Sequence, residues 1–307
     1  MSAETRPLVI LCGPTGVGKS RCAVALALRV GGEVINADSM QVYRGFDVGT
    51  DKLPPAERRG VPHHLLDIVE ATTQFTAADF VRDALRAAEG ILGRGRIPIV
   101  AGGTGLYLKA LLEGLFPGPG RLAGLRRRLE AEAAADGVDA LWRRLNAVDP
   151  DYAAKTGPRD RVRIVRALEV FEATGIPFSR HFPATESPVK GFLQVRIGLQ
   201  LERSLLVRKI EERVDRMFAN GIVEEVRGLV AGGIPEDAPP FRALGYGHVL
   251  ACLSGGLTVA RAVELTKAET RQYAKRQMTW FRKMKDIAWF PAGDFEAVAR
   301  HVEARLR

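Results

Sequence analysis

The segment Gly13-Pro-Thr-Gly-Val-Gly18-Lys19-Ser20 constrains this chain more than any other, because it joins an apolar run, Leu8–Cys12, to an Ala/Leu-rich stretch, Lys19–Val30. It matches GxxxxGK[ST] in full, in the strand-to-helix setting that the motif requires. From the chain's own Gly and Lys usage, a chance match is on the order of one in a hundred. Gly13, Gly16 and Gly18 let backbone N–H groups converge on phosphate oxygens, and the helix N-terminus adds partial positive charge. Pro14, Thr15 and Val17 complete the loop, Lys19 supplies a mobile cation, and the Ser20 hydroxyl is a candidate ligand for Mg²⁺. The loop therefore predicts a di- or triphosphate site at the end of a buried strand.

A strand buried on both faces implies a parallel sheet with crossover helices. The same rhythm continues with a strand at Glu33–Asn36, a strand at Leu65–Val69, a helix from about Thr76 to Glu89, the strand Ile97–Ala101 and a helix from Leu106 to Leu115. Phe116-Pro-Gly-Pro-Gly120 interrupts it, and charged helical segments follow at Arg121–Ala135, Val138–Asn146 and Arg161–Ala173. Phe192–Leu199 returns as a strand, and helices follow near Arg203–Ala219, Ile222–Val230 and Thr258–Met284. The expected fold is α/β: a P-loop doubly wound parallel sheet with an inserted helical subdomain and a helical C-terminal region. Residues 1–116 form the first part of the core, 117–192 the insertion, and 193–307 the second part.

The longest uninterrupted apolar run, Cys22–Leu28, is far too short to span a membrane, and the N-terminus lacks a targeting pattern. Cys12, Cys22 and Cys252 have no metal or disulfide spacing, which fits a reducing cytoplasm. His63-His64 has no partner at ligand spacing and reads as loop or core polar residues. The net charge of +9 is unevenly placed: residues 1–116 carry 13 basic and 12 acidic side chains, whereas Thr258–Lys285 carries eight and two. That excess predicts a polyanionic partner or, failing one, a solvated helix face.

A phosphate loop alone does not distinguish a kinase from other diphosphate chemistry. The strand Ile97–Ala101 ends in Gly102-Gly-Thr-Gly105, with no acid to hold a metal ion. The strand end that carries an acid is Glu33-Val-Ile-Asn-Ala-Asp38. Asp38 is a candidate metal ligand or general base, and otherwise a turn cap.

Six motifs in order carry a resemblance: the phosphate loop, Ile35-Asn-Ala-Asp-Ser-Met-Gln-Val-Tyr43, Gly102-Gly-Thr-Gly-Leu-Tyr107, Arg166-Ala-Leu-Glu-Val170, Gly245-Tyr246, and Thr270–Phe281. Together they resemble the tRNA dimethylallyltransferases, from about Leu8 to Phe290. The resemblance implies that the loop holds the diphosphate of dimethylallyl diphosphate, which accounts for the missing strand-end acid. It implies that Asp38 acts on the N6 amine of the adenosine 3′ of the anticodon as that amine attacks C1 of the allyl group, with Thr104 near the leaving oxygen. Mg²⁺ on Ser20 and the diphosphate, with Lys19, would neutralise the departing charge. Gly16-Val17 stands where the family often has Ala-Ser, and Pro158-Arg-Asp-Arg161 replaces a Pro-Asn-Asp-Pro-like turn.

Extruding a base from an anticodon stem-loop requires a basic, partly aromatic surface. The resemblance places tRNA contacts at Asp38, Ser39, Met40 and Gln41, at Arg163 and Arg166, and at Arg242, Gly245 and Tyr246; to these we add Arg126 in the insertion. On the C-terminal helix, Lys267, Arg271 and Lys275 recur at i, i+4 and i+8 and so share a face, and Arg276 and Gln277 extend the set. Tyr273, Trp280 and Phe281 are either part of that surface or core aromatics. The expected protein is a cytoplasmic monomer that modifies tRNA. Transfer to free AMP or ADP, a small-molecule kinase and a non-catalytic RNA-binding protein are the competing readings, and the basic insertion and helix weigh against the first two.

Overall fold

The structure, a computed structural model, describes residues 6–116 and 118–306. Residue 117, where the insertion was expected to begin, lies outside them. The described chain divides into two compact units, one of residues 1–112 and 188–307 and one of residues 113–187.

The larger unit is built on a parallel six-stranded sheet. Strand β1 (Pro7–Cys12) leads through the phosphate loop into helix α1 (Lys19–Val30), β2 (Gly32–Asn36) and the two-residue β3 (His63–His64). Helix α2 (Ala77–Leu92) returns the chain to β4 (Ile97–Ala101), and α3 (Gly105–Glu113) leaves it. The strand order β3-β2-β4-β1-β5-β6 puts β1 between its crossover neighbours, with β5 at Leu193–Gln200 and β6 at Ala288–Pro291. The crevice at the carboxyl end of β1 is the usual ligand position in such a sheet.

Side-chain alternation along β1 serves both faces. Leu8, Ile10 and Cys12 pack with Phe80 and Ile91 of α2, Tyr107 and Leu108 of α3, and Phe281. Val9 and Leu11 point the other way, to Ala23, Val24 and Leu26 of α1 and to Val298 and Val302. The phosphate loop thus hangs from a strand anchored in both cores.

The expected strand at Leu65–Val69 does not form. Leu65 and Asp67 adopt φ of 62° and 54°, in the left-handed region that interrupts an extended run. The pairing falls instead on His63 and His64, opposite Val34 and Ile35 of β2. Histidines suit this position because β3 is a sheet edge, where one side stays polar. The Nε2 of His64 lies 2.7 Å from the buried Glu33 carboxylate.

The smaller unit contains α4 (Ala123–Ala135), α5 (Val138–Val148), the short α6 (Pro150–Ala153) and α7 (Arg161–Thr174). They enclose their own core around Leu129, Leu141, Leu145, Ile164, Leu168 and Phe178. Back in the larger unit lie α8 (Arg203–Ala219), α9 (Ile222–Ala231), α10 (Tyr246–Leu253), the long α11 (Val259–Phe281) and α12 (Phe295–Leu306). Helices α9 and α10 cover Val42, Tyr43 and Phe46 in the segment after β2.

Candidate active site

Three loops meet at the carboxyl ends of the central strands: the phosphate loop after β1, Ala37–Gln41 after β2 and Gly102–Thr104 after β4. Their joints are explicit. Ala37 N–H donates to the Ala101 carbonyl at 2.9 Å, and Thr104 N–H donates to the Ala37 carbonyl at 3.2 Å. The Thr104 hydroxyl accepts the Ser39 N–H at 3.0 Å and lies 3.3 Å from the Ser39 hydroxyl. Thr104 therefore couples the two loops that carry the expected catalytic pair.

Asp38 is half-buried, and its Oδ1 accepts the Met40 N–H at 2.9 Å. That bond is the turn cap considered from sequence. The second carboxylate oxygen has no hydrogen-bond partner among the described residues, so the group can also receive a proton. Tyr273 reaches Thr104 and Gln277 from α11, and burial together with the Asp38 charge pushes its phenol up to about 12. Phe281 is core, while Trp280 lies half-buried with its ring 3.2 Å from where a Gly105 side chain would begin.

In the phosphate loop the Lys19 ammonium donates to the Pro14 carbonyl at 2.8 Å. Burial and the neighbouring Arg213 cation push Lys19 down to about 8, against the opposing pull of Asp38, Cys12 and Asp51. No carboxylate forms an ion pair with Lys19 among the described residues. An incompletely neutralised, desolvated cation favours an incoming anion. The Ser20 hydroxyl is exposed at the first turn of α1 and has no hydrogen-bond partner among the described residues.

Sequence reasoning missed Arg213, which reaches this loop from α8. Its guanidinium donates to the Thr15 hydroxyl, pairs with Asp51 at 3.1 Å and donates to the Thr50 carbonyl at 3.4 Å. Nothing in the local pattern of α8 separates Arg213 from the other arginines of that helix; only the fold brings it to the loop.

Several residues expected at an RNA surface have other roles. Gln277 is buried, accepting the Thr15 N–H and donating to the Gly103 carbonyl, each at 2.8 Å. A Cβ on Gly103 would stand 2.4 Å from its amide nitrogen, so glycine there permits the clamp. Tyr246 is fully buried, and Gly245 caps α10 from within the core. Lys267 and Arg271 pair across to α8, with Asp215 at 2.7 Å and Glu211 at 2.6 Å. The shared face predicted from their spacing exists, but for these two it meets a helix carrying carboxylates at the matching i, i+4 spacing.

Lys275, Arg276 and Arg242 remain exposed. Arg276 stands over the Tyr273 ring at 5.8 Å. Ser39 is taken by Thr104, Met40 packs with the α9–α10 core, and the Gln41 amide donates to the Thr50 carbonyl at 3.0 Å. In the smaller unit, Arg126 pairs with Glu130 at 3.1 Å, and Arg166 pairs with Glu169 at 2.8 Å and donates to the Pro119 carbonyl at 2.7 Å. Arg163 is exposed, 3.4 Å from its own cap Asp160.

Residues 41–284 match the family model described as IPP transferase. The chain is 50% identical to a tRNA dimethylallyltransferase of Geobacter metallireducens over 96% of each chain. It is 47% identical to one of Thermomicrobium roseum over 99% of this chain and 93% of that one. Among solved structures, the tRNA isopentenylpyrophosphate transferase of Bacillus halodurans superposes with a TM-score of 0.73 at 38% identity, covering 98% of this chain and 97% of that one. A eukaryotic dimethylallyltransferase acting on tRNA gives 0.82 at 30% identity, covering 98% and 78%.

Proposed function

Since the chain belongs to the IPP transferase family, we propose that it transfers a dimethylallyl group from dimethylallyl diphosphate to N6 of the adenosine 3′-adjacent to the anticodon of tRNA. The enzyme is a tRNA dimethylallyltransferase, and the kinase, free-nucleotide and non-catalytic readings are set aside. The observation that carries the mechanism is the pairing of a cation-lined phosphate loop with a free Asp38 carboxylate oxygen at the mouth of the same crevice.

In this reading the loop's N–H groups, Lys19 and Arg213 bind the diphosphate. The N6 lone pair attacks C1 as the C1–O bond breaks, pyrophosphate leaves with the bonding pair, and the N6 proton passes to Asp38. Thr104 sets Asp38 and Ser39 relative to β4, and Tyr273 closes the same corner. A Mg²⁺ ion fits the donor set: Ser20 offers a hard oxygen, and the described residues contain no cluster of three metal-ligating side chains, so diphosphate oxygens would supply most ligands. Such an ion would neutralise charge on the departing pyrophosphate.

For the RNA, the exposed cations Lys275, Arg276 and Arg242 of the larger unit and Arg163 of the smaller one are the proposed phosphate contacts. No helix among the described residues is long and apolar enough to cross a membrane; we place the enzyme in the cytoplasm as a monomer. The test is to incubate the protein with labelled dimethylallyl diphosphate and, separately, unmodified tRNA, AMP, or ATP with a small acceptor. Label in tRNA alone is expected, and label in AMP, or ATP turnover coupled to transfer, overturns the reading.

A further inference from the structure

Glu225, on α9, has no part in the chemistry above, yet its carboxylate is the most heavily hydrogen-bonded acceptor near the site. Its Oε2 accepts the N–H groups of Asp47 and Val48 at 2.9 and 2.7 Å. Its Oε1 accepts the Gly49 N–H at 3.3 Å and the Tyr246 hydroxyl at 2.6 Å. Four donors converge on one side chain that makes no ion pair among the described residues. A carboxylate suits this position because it is acceptor-only with room for about four hydrogen bonds, whereas a carboxamide has one oxygen and presents two donors of its own.

The seat beneath it is rigid. Tyr246 is wholly buried against Phe46 and Phe241, and burial and the Glu225 charge push its phenol strongly up. A Cβ on Gly49 would lie 2.4 Å from the Tyr246 ring, so the turn rests directly on that ring. The turn is closed from within by the Thr50 hydroxyl, which donates to the Phe46 carbonyl at 2.6 Å, and by Lys52, which donates to the Tyr43 carbonyl at 2.5 Å. Its far end holds the functional groups: the Thr50 carbonyl accepts from Gln41 and Arg213, and the Asp51 carboxylate pairs with Arg213.

We propose that Glu225 is a positioning residue: by gathering the N–H groups of residues 47–49, it fixes the Thr50 carbonyl and Asp51 carboxylate that aim Arg213 at the phosphate loop. The contact chain runs from Tyr246 through Glu225 and the turn to Arg213 and Thr15. This inference rests on the reading of Arg213 as a diphosphate ligand.

The test uses full-length protein and inorganic pyrophosphate with Mg²⁺, titrated calorimetrically for wild type, Glu225→Gln, Tyr246→Phe, Arg213→Ala and the Arg213→Ala/Glu225→Gln double variant. Glu225→Gln is expected to weaken pyrophosphate binding roughly tenfold, and the double variant to bind no more weakly than Arg213→Ala alone, the mark of residues acting through one another. The KM for the allylic diphosphate should rise by the same factor, with single-turnover transfer at saturation nearly unchanged. Tyr246→Phe removes one donor of four and keeps the ring, so it should shift binding the same way, by about threefold, and it serves if Glu225→Gln fails to fold. Weakening that adds in full to that of Arg213→Ala, or unchanged affinity with only a lowered Tm, overturns the proposal. Unchanged binding in Arg213→Ala itself overturns the underlying diphosphate reading instead, and does so without any change at Glu225.

Discussion

The cations of the phosphate loop and those of the helical unit are neutralised in opposite ways. In the helical unit, Glu132 and Glu172 each bridge Arg128 and Arg144, and the fully buried Glu169 collects Arg166, Arg126 and the Leu122 N–H. Around the phosphate loop, among the described residues, Lys19 bonds only a carbonyl, and the Arg213 guanidinium shares itself between a hydroxyl, a carbonyl and one carboxylate. Yet residues 1–116 are balanced in charge while the insertion carries a basic excess. Net charge therefore locates basic residues, and only the pairing pattern identifies the charge available to a ligand.

The largest effect expected concerns the acid beside the loop. Asp38→Ala should slow single-turnover transfer by ~10²–10⁴-fold, the range for a positioned base, with tRNA affinity within a few-fold; a near-normal rate would leave Asp38 only its turn-capping bond. For the helical unit, Glu169→Ala should destabilise that unit by about 3 kcal/mol by stranding its arginines and the Leu122 N–H. Pyrophosphate affinity should survive, because charges there hold the unit together. A calorimetric melt beside a binding titration separates the two effects, and lost pyrophosphate binding without a shifted melt would break the comparison.

Next comes pH. Lys19 is held near 8, below its ordinary value, so it is charged at neutral pH and loses its proton as pH rises through that point. Pyrophosphate binding should weaken above about pH 8, at most about tenfold per pH unit, with proton uptake on binding. Lys19→Arg, which keeps its charge, should abolish that fall. The ligand-free fold itself should gain stability between about pH 8 and about pH 10.5, where the unfolded chain holds a proton that the folded one has released. A binding profile for wild type that matches Lys19→Arg would contradict the desolvated-cation argument.

The smallest effect divides α11. Lys275→Ala should flatten the slope of log K for tRNA against log salt by roughly 0.7–0.9, the signature of one phosphate contact. Lys267→Ala should leave the slope alone and cost at most about 1 kcal/mol of stability, as befits a half-exposed ion pair with Asp215. Equal slopes for both variants and wild type would move the RNA footprint off this helix.

The short, strongly patterned elements were legible in the sequence: Leu8–Cys12, Ile97–Ala101 and the helices that follow them emerged within a residue or two of their final bounds. The phosphate loop, Asp38 and Thr104 were legible because each ends a strand, and strand ends of a doubly wound sheet converge. Other features were not. Strand β6 carries a weak pattern, because Trp289 only completes a surface made by distant segments, and helix α12 was not among the expected elements although its Phe295, Val298, Ala299, Val302 and Leu306 stand at helical spacing. His63-His64 gave no strand signal because an edge strand of two residues has no period to detect.

The sequence by itself determined the form of the proposed phosphate site, because a glycine-rich turn between a buried strand and a helix N-terminus is a local construction, made of groups covalently adjacent to one another. Only the tertiary structure decided which of forty-five basic side chains come to lie beside that loop. Arg213 stands almost two hundred residues from Thr15, Gln277 and Tyr246 turned inward, and Lys267 and Arg271 were spent on a neighbouring helix. Those outcomes depend on which partner lies opposite each side chain once the core has closed, and no local spacing encodes a partner so distant along the chain.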